Sequence, residues 1–113
     1  MAPSPLMSAE EHRLNLQAFL ENVLPGEDTL TAYFQKPGKT GLEYPCAMYN
    51  RDRTQVKFAD NIKFFLKKRW TVTVMDRNPD SDIPDLIEAL SWCELDRTFV
   101  TDGINHWVFT LHY

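Results

Sequence analysis

Residues 68–77 read Lys68-Arg69-Trp70-Thr71-Val72-Thr73-Val74-Met75-Asp76-Arg77, and this stretch decides the fold. Trp70, Val72 and Val74 fall on one face; Arg69, Thr71 and Thr73 fall on the other. That is the period-two pattern of a half-buried strand, and its β-branched residues disfavour a helix. The alternation extends back through Leu66 and Phe64 to Ile62, with Phe65 and Met75 as exceptions. A strand over 62–76 would exceed the usual ~3–10 residues. It is therefore expected to break near Lys67 and Lys68, or to project its first half as a hairpin arm.

Downstream, Asn78-Pro79-Asp80-Ser81-Asp82 reads as a loop that ends in a helix cap. Ile83, Leu86, Ile87 and Leu90 then recur at i, i+3, i+4 and i+7, which predicts a short helix over 83–91 with Pro84 in its tolerant first turn. A hairpin follows over 93–113, turning at Asp102-Gly103, a favoured type I′ pair. Trp107, Phe109, Leu111 and Tyr113 share one face of its second strand and are expected to be core. Upstream, Ser8-Ala9-Glu10-Glu11 is a capping-box pattern opening a helix over 9–24. Leu16, Phe19, Leu20, Val23 and Leu24 form its apolar stripe, and Pro25-Gly26 ends it. Residues 29–36 and 44–50 read as two further strands, and 1–7 as a loose N-terminal arm. The expectation is a single α+β domain over 1–113. It has an antiparallel sheet of four to five strands, two helices on one face, and an extended loop or hairpin arm over 51–68.

A hydrophobic fraction of 43% supplies one core, and 25% charged residues is ordinary for a soluble globular chain. No apolar run reaches the roughly 18 residues of a membrane span, and the first residues lack a signal-peptide pattern. Cys46 and Cys93 are far apart, which suggests free thiols in a reducing cytoplasm. Charge is unevenly placed. Residues 51–69 hold seven basic side chains against two acidic ones, a net +5, which leaves −9 for the rest of a chain whose total is −4.

Motifs with chemical meaning fail on inspection. Gly38-Lys39-Thr40 resembles part of a phosphate-binding loop, but the upstream glycine is missing and a strand follows instead of a helix. Residues 76–82 alternate oxygen side chains as a calcium loop does, yet Ser81 stands where the glycine is needed and Ile87 where the bidentate Glu is needed. His106 and His112 lie roughly 20 Å apart along a strand and make no zinc set with His12 and the cysteines. No nucleophile signature is present. No catalysis, cofactor or metal is expected. A single-stranded nucleic-acid module remains open, using the basic residues of 51–69 with Phe58, Phe64, Phe65 and Trp70 as stacking partners.

Arg69-Trp70-Thr71-Val72-Thr73-Val74-Met75-Asp76-Arg77, Pro79-Asp80-Ser81-Asp82-Ile83-Pro84, Cys93-Glu94-Leu95-Asp96-Arg97 and 105–113 together resemble small structural proteins in the head–tail module of long-tailed phages. The tail terminator, or tail-completion, group fits the layout best, with head-completion and tail-tube proteins as close alternatives. The earlier part of the chain matches in layout only. The resemblance implies a virion protein assembled in the host cytoplasm. It would form a hexameric ring that caps the tail tube, meets the head-completion or connector protein, and lets DNA pass through its lumen without specific binding. In such a ring Arg51, Arg53, Lys57, Phe58, Lys63, Phe64, Phe65, Lys67 and Lys68 are the expected contact residues toward the next subunit.

Overall fold

The structure is a computed structural model, and it describes residues 8–35, 41–52, 58–59, 62–63 and 68–113. In chain order it contains α1 (Ala9–Glu21), β1 (Thr31–Phe34), β2 (Cys46–Arg51), β3 (Phe58–Ala59), β4 (Ile62–Lys63), β5 (Arg69–Asp76), α2 (Ile83–Glu88), β6 (Cys93–Thr101) and β7 (Ile104–His112). Five strands form one sheet in the order β1-β2-β5-β7-β6, while among the described residues β3 and β4 pair only with each other. The long alternation of 62–76 is thus divided between β4 and β5.

The fold is α+β, but its sheet is mixed, where an antiparallel one was expected. β1 runs parallel to β2, with Thr31 opposite Cys46 and Phe34 opposite Tyr49. The other ladders are antiparallel. Alternation reports which face a residue takes, not which way its strand runs, so the parallel pair left no trace in the pattern.

Central strand β5 is paired on both edges. Val72 stands opposite Tyr49 on β2 and Phe109 on β7; Trp70 stands opposite Arg51 and Leu111. Ala47, Tyr49, Trp70, Val72, Val74, Phe109 and Leu111 therefore share a face, and they form one buried cluster with Leu16 and Leu20 of α1 and Ile87 of α2. On the opposite face Cys46, Met75 and Ile104 make a smaller cluster, joined by Leu42, Tyr44 and Met48. Because β5 is covered on both sides, Thr73 is buried as well.

The helices are shorter than expected. Ser8 caps α1, its hydroxyl accepting from the Glu11 N–H at 3.1 Å. The helix stops at Glu21, with Asn22 as its C-cap, and Val23 and Leu24 pack on the core from outside it. Phe19 is 38% exposed and lies against Tyr113, so it borders the apolar stripe instead of filling it. Asp82 stands at the N-cap of α2 but makes no capping bond with its side chain; the Ser81 hydroxyl instead accepts from the Ile83 N–H. The expected turn at Asp102-Gly103 forms, with φ of 51° and 75° at its two central residues. Along β6 the ladder shifts register between Leu95 and Arg97, and Asp96 is the extra residue. This bulge reverses the facing, so Leu95 lies opposite Phe109 whereas Phe99 lies opposite His106.

Phe109 is fully buried, whereas Trp107 on the same face is only partly so, packed at the margin of the core. Phe109→Ala should cost about 3–5 kcal/mol, and Trp107→Ala about 1–2 kcal/mol, in urea melts. Equal losses would show that the margin at Trp107 is as closed as the centre.

Candidate assembly surface

The segment expected to reach a neighbour leaves the sheet after β2 and returns at β5, and its two ends are held together. The Asp52 N–H donates to the Arg69 carbonyl at 3.1 Å. The Asp52 carboxylate lies 3.0 Å from Arg69 Nε and accepts from the Thr71 hydroxyl at 3.1 Å. The Arg69 N–H is not aimed well enough at that oxygen to count as a hydrogen bond, so the contact is an ion pair held by proximity. Beside it, Lys68 and Tyr113 exchange both backbone bonds at 2.9 Å. Opposite charges at the two ends of one long connection restrain its closure locally.

Arg51, exposed at the end of β2, also lies at this neck. Its guanidinium lies 5.0 Å from the Phe34 ring centroid and 5.4 Å from that of Trp70, and it approaches the Ala9 carbonyl at 3.5 Å. Arg13 covers Phe34 as well, at 4.8 Å. Stacking of this kind stabilises by about 0.5–1 kcal/mol per exposed pair. His12 joins the group, stacked 6.1 Å from Trp70 and bonded through Nε2 to the Tyr113 main-chain oxygen. Tyr49 donates to the Gln17 side-chain oxygen, and its phenol is pushed up by burial. Trp70 Nε1 finds no acceptor among the described residues.

Of the other expected contact residues, Phe58 and Lys63 face each other across the β3–β4 ladder, and Lys68 is half-buried at the neck. Arg53, Lys57, Phe64, Phe65 and Lys67 lie outside the described residues. Trp70 is 1% exposed, which removes it as a stacking platform for bases.

Pattern reading missed a second surface, strand β6. It is an outer strand of the sheet, and all its residues after Cys93 are exposed. Leu95, Phe99 and Val100 are its uncovered apolar side chains. Phe99 stacks on His106 with ring centroids 4.4 Å apart. Together they border a shallow depression of about 510 Å³ on the sheet, floored by Met48, Thr73 and Met75. The sequence signal for an outer strand was weak, because a hairpin strand looks the same with or without a further neighbour.

No group of three or more His, Cys, Asp or Glu side chains among the described residues could hold a metal. Burial pushes the Cys46 thiol up to about 11, with Asp76 adding to the effect. Burial does the same for Cys93, also to about 11, with Glu88 and Glu94 contributing. Both are thiols at neutral pH and weak nucleophiles. No helix among the described residues is long and apolar enough to cross a membrane.

Alkylation of the native chain by iodoacetamide should therefore stay slow at pH 8 and rise only as pH approaches 11. The protonated thiol is the form the fold favours. Its stabilisation is complete below the ordinary value of 9.0 and is lost as pH rises from there through about 11. Fast labelling at pH 8, before unfolding, would show that the thiols are open.

No family model, curated protein or solved structure matches the chain, so its function must be argued from its own residues.

Proposed function

We propose that the chain is a structural protein of a long-tailed phage virion, a tail terminator whose ring caps the tail tube and joins it to the head connector. The residues that resemble that group run through β5, α2, β6 and β7, the best-specified part of the domain. In this reading α1 and α2 cover one face of the sheet, and the segment between β2 and β5 is the arm that reaches the next subunit. The observation that carries the reading is the pairing of an uncovered outer strand with a basic segment on an otherwise acidic chain. Unlike surfaces that attract each other build head-to-tail contacts, and such contacts close into a ring when the rotation between copies closes. The acidic majority suits a lumen that conducts DNA, since like charge repels phosphate.

The test is assembly. Purified chain added to growing tail tubes should stop their elongation and appear as hexameric rings at tube ends by electron microscopy. Deleting 54–65 should leave a folded monomer that neither forms rings nor completes tails. Rings and infectious particles from the deletion variant would remove the arm from assembly, and tubes that grow unchecked beside the intact chain would overturn the terminator role.

A further inference from the structure

The two outer strands of the sheet are not equivalent. β1 has four residues, and the Gln35 N–H that follows it is bonded to the Tyr49 carbonyl of β2 at 2.9 Å. By alternation Ala32 turns its carbonyl away from β2, and there the Gln17 side chain takes it at 2.8 Å. That edge is plugged by α1. β6 has nine residues and no strand on its outer side among the described residues. Thr101 and Ile104 flank the two-residue turn as its hydrogen-bonded pair. By alternation Val100 and Thr98 therefore turn their N–H and C=O groups outward, away from β7. Val100 is also 65% exposed. A long edge with apolar side chains and open backbone groups is a template for another strand.

We propose that β6 is the receiving edge for the segment 53–67 of a second copy, which adds to the sheet as a further strand. Charge selects this occupant. Residues 93–102 carry Glu94, Asp96 and Asp102 against Arg97, a net −2, and 53–67 carry Arg53, Lys57, Lys63 and Lys67 against Asp60, a net +3. The segment also brings Phe58, Ile62, Phe64 and Phe65, apolar partners for Leu95 and Phe99. Its described parts, β3 and β4, already have strand backbone, and among the described residues they pair with each other and with no strand of the five-stranded sheet. The inference rests on the ring reading for the arm's role, but it can be judged apart from it.

The probe is a labelled synthetic peptide of residues 53–67, titrated into the full chain by fluorescence anisotropy, with sedimentation velocity and electron microscopy on the same samples. Val100→Lys and Val100→Glu change one exposed position, and Thr98→Lys is the second variant should Val100→Lys lose its circular dichroism. The expected result is saturable binding that salt weakens, that Lys at position 98 or 100 weakens by about tenfold, and that Val100→Glu preserves or tightens. Absence of binding overturns the proposal. Equal weakening by Lys and Glu also overturns it, because charge would then not be selecting the occupant. Rings that form normally with Val100→Lys leave the terminator reading intact and sink this one. Peptide captured at β6 by a chain that never forms rings or caps tubes does the reverse.

Discussion

Strand β5 is the constraint on which the rest depends. It is bonded on both edges, by β2 and β7, and covered on both faces, so no residue of it can shift without moving a neighbour's register. A one-residue slip would turn Trp70, Val72 and Val74 out of the main cluster and put Arg69 and Thr71 in their place. Losing a single large core side chain costs about 3–5 kcal/mol, a sizeable share of the ~5–15 kcal/mol that holds a domain together. Trp70 concentrates the effect, since His12, Tyr49 and Arg51 all lie against its ring. The indole N–H has no acceptor among the described residues, and a buried donor left without one costs about 1–3 kcal/mol, which this packing must outweigh.

The same strand sets where the chain is able to reach outward. β5 begins at Arg69, and its first residue is tied to Asp52 at the end of β2. The connection from β2 to β5 therefore starts and ends at the end of the sheet where Arg51, Trp70 and Leu111 line up, the end at which β6 starts with Cys93. Aromatic rings and two guanidinium groups stiffen that end. One of the two is the guanidinium of Arg51, which charge alone also places on the expected contact surface.

Much of this architecture was legible because it is local. Ser8 with Glu11, Asp102 with Gly103, and the alternation of 69–74 each act within a few residues, and each took the form its chemistry predicts. What was not legible depends on partners distant in sequence. The direction of β1 is set by what it pairs with, not by Thr31 or Tyr33 themselves. The bulge at Asp96 is invisible to a count of alternate residues, yet it decides that Phe99 and Leu95 look to opposite faces. Trp107 and Phe109 have the same parity and similar hydrophobicity, yet Phe109 is in the buried cluster and Trp107 at its margin, a difference set by tertiary packing and not by alternation. Of the assembly surface, the basic charge was readable and the open edge was not.

That asymmetry bears on the kind of assembly the chain can make. A surface that pairs with itself across a two-fold axis must be self-complementary, and β6, with a net negative charge, repels its own image. A basic segment meeting an acidic edge is complementary only between unlike surfaces. On the proposed pairing each copy offers one of each, so contact leaves an edge and an arm unsatisfied at the ends unless the rotation between copies closes. Plugging of β1 by Gln17 strengthens the argument, because it removes the competing contact in which two sheets would join edge to edge. In the proposed arrangement, closure into a ring would satisfy every edge and leave no growing end.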